Sequence, residues 1–523
     1  MSFTVVGFLR RSWMTFLLVW AGLALVSVSW ALATPLGASP DEPAHIIKAA
    51  AVVRGELLGD LTDTPGVTTV QVPPGIASAK SWTCYAFQAM VEANCILPII
   101  DAPGLAAATT SAGLYNPVYY TVVGWPSLLT QDTGHAVFAM RAMSALLSSF
   151  FLAVAFCALL QFRKPIITGL AFLAAATPMV FFLAGAVNPN ALEISSGAAL
   201  LCLLLALVRA PHVEHERVQL ALVVASGFFL ANSRGLSPLW MACIAAAVLV
   251  CAPPVRLAEL LRRPQIWAVV VLLGLSVLAA GLWILNTGTL DSMGVYPGAG
   301  ITTPANAFVT MLVDRSFDIG TIAVFGWLDT FVPNFVPYFW SFLFFLTVLA
   351  GVAVARGRVL MALMILIAAL FLVPPIAQAM SVETSGYIWQ GRYTLVAYVC
   401  TILMAGVAAA LAFPRLPTFV SRTSSLRAVV IVSALVIVGQ VFSILVAVKR
   451  YAVGSDGAWT SLFRNAVWAP PGGLLLWPAV LCVGMALLMA VWFIWVYPTL
   501  PRIAAGMSSR AFESTAVAAV KNG

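Results

Sequence analysis

The chain has 523 residues, 62% of them hydrophobic and 9% charged, and its mean hydropathy is +1.00. A soluble domain is about 25% charged, so this composition excludes a cytosolic enzyme, a disordered tail protein and a nucleic-acid binder, and leaves an integral membrane protein. The net charge of +8 would imply an anionic partner only if it lay on one face, whereas the basic residues are spread over the connections between apolar runs.

A bilayer-spanning helix takes about 20 apolar residues. Runs long enough, or nearly so, are Trp13 to Ala33, Val137 to Phe162, Ile166 to Ala186, Ala191 to Val208, Val218 to Ala231 and Pro238 to Cys251. The second half adds Ile266 to Leu285, Tyr338 to Ala355, Val359 to Met380, Tyr393 to Phe413, Ala428 to Val448 and Gly473 to Val496. These predict an all-α polytopic bundle of about 12 transmembrane helices. The first run, between Arg10-Arg11 and Ala31-Leu32-Ala33, also resembles a signal peptide, but its apolar core is longer than a usual h-region and reads as a retained helix.

Basic residues near span ends stay on the cytoplasmic side. With Arg10 and Arg11 inside, the inner face also receives Arg163, Lys164, Arg209, Arg217, Arg256 and most of the remaining Lys and Arg, while the outer face is net acidic. Asn116 to Leu129 is too short to cross and would invert every later loop, so it is placed in the outer interface. The expected order is a cytoplasmic N-terminus with the first helix (1–33), an extracytoplasmic loop with interfacial helices (34–136) and helices two to seven (137–285). A second extracytoplasmic loop (286–337), helices eight to twelve (338–496) and a short cytoplasmic tail (497–523) follow. Both termini then lie in the cytoplasm, and the two large loops are where chemistry is expected.

Cys84 and Cys95 share the first outer loop, on the oxidising side, where a disulfide can persist. The alternative is two buried thiols. The other six cysteines fall in or at the ends of spans and read as small core residues.

Directly after the first span comes Ser39-Pro40-Asp41-Glu42-Pro43-Ala44-His45. Two carboxylates and an imidazole within one or two helical turns supply a general base with groups that tune it or hold a metal. The same residues also suit a helix N-terminus, where acids are favoured. At the outer mouth of the tenth span stands Gln390-Gly391-Arg392-Tyr393. Glycine lets another backbone or a ligand approach closely, and a guanidinium there can clamp a phosphate through two parallel hydrogen bonds or simply snorkel. Arg234, followed by Gly235, repeats the pairing at the end of the fifth helix. Arg141 lies within a span and needs a partner, for which Asp132, Asp41 and a lipid phosphate are candidates. Asn188, Asn190, Glu193 and Asp329 are polar groups at membrane depth, each suited to a cap or an interhelical bond as well as to a ligand. Tyr119, Tyr120, Tyr115 and Trp125 fit an interfacial aromatic belt on which a sugar ring could also stack.

Taken together, the acidic motif after helix one, Asn116-Pro117-Val118-Tyr119-Tyr120, Arg141 early in the second helix and a large first outer loop resemble the GT-C superfamily of polytopic glycosyltransferases. More closely, Pro40 to His45, Asn116 to Tyr120, Thr177-Pro178-Met179, Asn188-Pro189-Asn190, Phe325-Gly326-Trp327-Leu328-Asp329 and Gln390 to Tyr393 resemble a bacterial membrane-protein family of GT-C type catalogued as a domain of unknown function. The resemblance runs from about Pro40 to Pro471. It implies a GT-C-like bundle, an acceptor-activating carboxylate at Asp41 with Glu42 as the adjacent acid, and a polyprenyl-phosphate-linked sugar as donor.

The expected activity is therefore an inverting sugar transfer in the bacterial plasma membrane, on its outer face, to a cell-envelope glycan or lipid acceptor. Asp41 is the expected base, with Glu42 and His45 orienting it or joining it on a divalent cation. Arg392, Arg234, Arg141, Gln390, Tyr393, Tyr119 and Asp329 are the expected substrate-binding residues. No cofactor is fixed by the residues. The alternative is a transporter or flippase of a lipid-linked saccharide, whose headgroup the same arginines would bind.

Overall fold

Each of the twelve apolar runs falls on helix. The computed structural model describes residues 12–210, 215–290, 294–413 and 422–499; Arg10, Arg11, most of the inner segment 211–216, Arg415 and nearly all of the 497–523 tail lie outside them. From the first described residue, α1 (Ser12–Ala33) leads to α2 (Glu42–Val52), the short α3 (Pro74–Ala77) and α4 (Pro117–Gly124) of the first long loop. The bundle continues with α5 (Thr133–Leu160), α6 (Pro165–Ala175), α7 (Pro178–Ala184), α8 (Pro189–Arg209), α9 (Glu216–Ala231), α10 (Ser237–Cys251), α11 (Pro254–Leu261) and α12 (Pro264–Thr287). After α13 (Pro304–Asp314) in the second long loop come α14 (Phe335–Val354), α15 (Gly357–Ser385), α16 (Gly391–Ala412), α17 (Arg422–Val453) and α18 (Leu476–Val496).

The protein is an all-α polytopic membrane protein, and the helices match the expected bundle of about 12 spans closely. Among the described residues, nine helices are long and apolar enough to cross a membrane, or eleven if each of two bent pairs is one span. The run from Ile166 to Ala186 breaks before Pro178 into α6 and α7, which meet at 66°. The sixth run ends at Cys251, and Pro253-Pro254 turns α11 away at 114°. Proline removes the N–H that would continue the ladder and forces the preceding residue out of the helical region. The remaining run, in α9, has 16 residues, about 24 Å of helix, and carries the chain from Glu216, paired with Arg263, to Arg234 beside Tyr393.

Local chemistry explains where several helices begin. Asn116 caps α4 by accepting from the Val118 amide at 3.0 Å, Asn188 caps α8 by accepting from Asn190 at 3.0 Å, and Asp132 caps α5 by accepting from His135 at 2.7 Å. In the first two cases proline follows at the first helical position, where its missing N–H is not needed. The Asn-Pro motifs are thus helix starts. α8 and α16 form the centre of the bundle and are almost wholly buried, whereas α12 is the outermost helix and mostly exposed. α1 packs on α5 and on α18. It crosses α18 at Gly22 and Gly484, where a Cβ on either glycine would come within 2.9 Å of the other's carbonyl oxygen.

The loops carry the small amount of β-structure. β1 (Asp60–Leu61), β2 (Thr68–Val72) and β3 (Ala106–Thr110) form an antiparallel sheet in the order β1-β2-β3, with Val70 opposite Ala108. It sits over α2, and Thr110 Oγ1 donates to the Ala44 carbonyl at 2.8 Å. Lys48 of α2 is fully buried and donates Nζ to the carbonyls of Leu57 and Gly113, fastening the helix beneath the sheet. β4 (Val324–Phe325) and β5 (Thr330–Phe331) make a hairpin in the second loop. Cys84 and Cys95 are joined as a disulfide, with their Cα atoms 6.1 Å apart.

Candidate active site

Asp41 stands at the start of α2 in the left-handed region, with φ 64° and ψ −2°. Aspartate enters that region more readily than most residues, yet a single residue there still costs about 1 kcal/mol. The chain before it is fixed carbonyl by carbonyl. Tyr85 Oη donates to Leu36 O at 2.7 Å, Trp327 Nε1 to Gly37 O at 2.9 Å and Tyr451 Oη to Ala38 O at 3.3 Å. Asn188 Nδ2 and Arg392 both reach Pro40 O at 3.4 Å. Donors from both long loops, α8, α16 and α17 therefore hold this turn, which is how strain at one residue persists.

Arg392 lies on the first turn of α16, and its Nη2 donates to Asp41 Oδ2 at 2.5 Å and to Tyr393 Oη at 3.1 Å. Its side chain is 3% exposed, while that of Asp41 is 49% exposed, so the pair opens toward one side. The Arg234 guanidinium stacks 4.3 Å from the centre of the Tyr393 ring, beside Tyr115 and Glu193. Two arginines, both against the Tyr393 ring, thus stand with Asp41. The approach depends on Gly391: a Cβ there would come within 2.8 Å of Thr321 N and 2.9 Å of Gly320 C, both backbone atoms. Asp318 completes the seat by accepting from the Gly391 amide at 3.1 Å. Gly391→Ala is expected to cost about 1–3 kcal/mol through overpacking and to displace Arg392. A thermal melt alongside a donor-binding isotherm checks this, with binding lost even at temperatures where the variant is folded.

Burial alone would raise the Asp41 carboxyl, but Arg392, its hydrogen bond and Arg234 outweigh it and hold the group below its usual value. His45 adds little to that pull at ordinary pH, because burial pushes its own pKa down to about 3 and leaves the ring neutral. Its Nδ1 lies 2.8 Å from Tyr120 Oη. The unfolded chain takes up a proton on this histidine below pH 6.5, and the folded chain does not until about pH 3. Stability from neutral burial is therefore complete above pH 6.5 and is lost as pH falls through that window. The unfolding midpoint is expected to drop between pH 6.5 and 4, and His45→Gln should flatten the slope.

Other expected site residues are placed differently. Glu42 is fully buried and faces away from Asp41's open side, accepting from Arg141 Nε at 2.7 Å, Arg141 Nη2 at 2.6 Å and the Val187 amide at 3.0 Å. Arg141, for which Asp132, Asp41 and a lipid phosphate were the candidate partners, also donates to the carbonyls of Ala31, Thr34 and Pro35 at 3.0, 2.9 and 2.7 Å. All five N–H donors of its guanidinium are engaged, so none is left for a phosphate. Asp329, half-buried, is bound by Arg450 Nη2 at 3.0 Å, and the buried Tyr119 by Ser144 Oγ at 2.9 Å. Asp41, Glu42 and His45 do not converge as a ligand set, and among the described residues no three His, Cys, Asp or Glu side chains gather as a metal site.

Arg450, which the sequence reading passed over, ties the disulfide loop to the second loop. It donates to Val91 O at 2.6 Å, to Tyr85 O and Gln88 O at 2.9 Å, and to Asp329. A basic residue at the end of a long apolar run, followed by Tyr451, was the available signal. Buried polar atoms without a partner include Ser39 Oγ, Asn190 Nδ2, Gln390 Oε1 and Arg392 Nε, of which Ser39, Gln390 and Arg392 are site residues or within two positions of one. Gln390 thereby keeps an acceptor free beside Arg392.

A family described as "Predicted membrane protein (DUF2142)" matches residues 23–401. The chain belongs to that family. Its matched span holds both Asp41 and Arg392 and ends within α16. The chain is also similar to ArnT from Cupriavidus metallidurans. The apo crystal structure aligns at 15% identity with a TM-score of 0.44, and the one bound to undecaprenyl phosphate at 17% and 0.40, each covering 92% of this chain and 77% of that one. No curated protein matches the chain.

Proposed function

We propose that this family member is a GT-C-type glycosyltransferase that moves a sugar from a polyprenyl-phosphate donor to an acceptor hydroxyl, on an extracytoplasmic face of the bacterial plasma membrane. The observation that carries the reading is the contact of Asp41 with Arg392 at 2.5 Å, with Arg234 stacked on Tyr393 beside them. A carboxylate with one open side can take the acceptor's proton while two fixed cations receive a phosphate. The acceptor oxygen attacks the anomeric carbon, its proton passes to Asp41, and the bond to the phosphate oxygen breaks with inversion. Negative charge then builds on the leaving lipid phosphate, where Arg392 and Arg234 stabilise it. In the resting protein Arg392 holds Asp41, and a phosphate arriving at Arg392 competes for that guanidinium, which relieves the carboxylate of part of its positive field and makes it a stronger base. The free acceptor of Gln390 and the donor of Asn190 suit sugar hydroxyls.

The motif resemblance to GT-C enzymes supports the same reading, as does the Lys/Arg asymmetry that puts the long loops outside. The test is a membrane assay with radiolabelled polyprenyl-phosphate sugar and cell-envelope acceptors, comparing wild type with Arg392→Lys. A point charge cannot reproduce the planar fork, so donor affinity should fall at least about tenfold. Headgroup translocation in proteoliposomes without any sugar transfer would favour the flippase.

A further inference from the structure

The end of the bundle away from Asp41 carries a cationic cluster that has no part in sugar transfer. α8 and α10 both start on the Asp41 side, where Asn188 reaches Pro40 O and Ser237 Oγ donates to Glu193, and both finish at the opposite face. There, guanidiniums from three helices meet on the two helix ends. Arg209 of α8 donates Nε to Cys251 O at 2.8 Å and Nη2 to the same oxygen. Arg358 of α15 donates to Ala252 O at 3.4 Å, and Arg256 of α11 donates Nε and Nη2 to Leu207 O at 3.3 Å. Cations suit the C-terminal ends of helices, so capping explains where these side chains sit. It does not balance their charge. Among the described residues the one carboxylate with them is that of Glu259, 3.4 Å from Arg256, and neither Arg209 nor Arg358 has an acidic partner. A guanidinium has five N–H donors; Arg209 uses two of them here and Arg358 one.

α11 adds an independent observation. It is bent 114° from α10, so that where α10 crosses the membrane, α11 runs roughly along its plane. Val255 and Leu261 at its two ends are 73% and 40% exposed, and Arg262, which follows, is exposed as well. The exposed Trp267 donates Nε1 to Leu261 O at 2.8 Å, which sets an indole at the same level, as at a membrane interface. A short in-plane helix with exposed apolar and basic residues is suited to lie among lipid headgroups. We propose that the junction of α8, α10, α11 and α15 binds a phospholipid with an anionic headgroup, in the leaflet opposite the Asp41 site. Its phosphate lies on Arg209 and Arg358 and its acyl chains run beside α11. A soluble anion would use the arginines and leave Val255 and Leu261 bare. The Lys/Arg asymmetry assigns this face to the cytoplasmic leaflet, whose anionic lipids attract basic clusters. The inference does not depend on the transferase reading.

The full chain, delipidated in detergent, is titrated with phosphatidylglycerol or phosphatidylcholine. Native mass spectrometry counts the lipid retained, and a thermal melt reads its effect. A single phosphatidylglycerol is expected to stay bound and to raise the midpoint, and phosphatidylcholine to do neither. Arg209→Gln and Arg358→Gln should each weaken retention about fivefold, the contribution of one arginine at an anionic surface. Arg358→Gln, which gives up only one long bond, should do so without lowering the lipid-free midpoint. Arg163→Gln, at an exposed arginine on the same face between α5 and α6, should leave retention unchanged. Equal loss in Arg163→Gln would make the attraction a diffuse property of the face. Equal retention of phosphatidylcholine would make it ordinary lipid contact, and displacement by inorganic phosphate would make it a soluble-anion site. Any of these, or no retained phosphatidylglycerol, overturns the proposal. A chain that retains the lipid but transfers no sugar removes the transferase reading alone.

Discussion

Asp41→Asn should lower sugar transfer roughly 10³-fold, the usual contribution of a positioned general base, while the chain still folds. Asparagine shares aspartate's tolerance of the left-handed region, and the Asp41 side chain makes no capping bond in α2. The carboxamide can still accept from Arg392, so the guanidinium keeps a partner besides Pro40 O and Tyr393 Oη. Asp41→Gly removes the carboxylate and also the positive-φ strain at this position, worth about 1 kcal/mol. It should therefore be inactive yet melt no lower than the Asn variant. Initial transfer rates at saturating donor, set beside melting curves in detergent, separate lost chemistry from lost fold. A normal rate in Asp41→Asn ends the assignment of Asp41 as the base.

How much of this arrangement is visible in the amino-acid order depends on the range of the interaction. Apolar runs and caps are local, so helices beginning at Asn116 and Asn188 follow from spacing and from Asn-Pro. Gly391 beside Arg392 was readable as a place of close approach, and the backbone that approaches is Gly320-Thr321. The bends within runs were less readable, because Pro178 and Pro254 turn stretches that hydropathy reads as continuous or simply ended. Partner choice was the least readable feature. Arg141 and Glu42 are 99 positions apart, and nothing in Asp41-Glu42 says which acid turns inward. The chain enters α2 through the left-handed turn at Asp41, which sends the two neighbouring carboxylates to different sides. Asp329 and Arg450 repeat the lesson at a separation of 121: a charge at membrane depth that looked available for a ligand was already neutralised by a helix end outside any motif.

The largest loss of stability is expected at the inward acid. Glu42→Gln leaves Arg141, 1% exposed, without a balancing charge, and breaking such a buried pair typically costs about 3–5 kcal/mol. Arg141→Met should cost as much by a different route. It strands the Glu42 carboxylate and frees the carbonyls of Ala31, Thr34 and Pro35, the end of α1 that the guanidinium closes. The paired replacement Glu42→Leu with Arg141→Met discriminates between these contributions. Where a buried ion pair is only a pair, apolar substitutes of similar volume often restore stability; here the Ala31 and Thr34 carbonyls would remain unsatisfied, each costing about 1–3 kcal/mol, while the Pro35 carbonyl keeps the Ala38 amide, so the double variant should recover little. Melting midpoints and folded yield measure this directly. Because α1 delivers the chain to Asp41 through those carbonyls, the molecules that do fold should also turn over slowly. Recovery of the double variant to wild-type stability would show that Arg141 serves only to neutralise Glu42 and does not hold the end of α1.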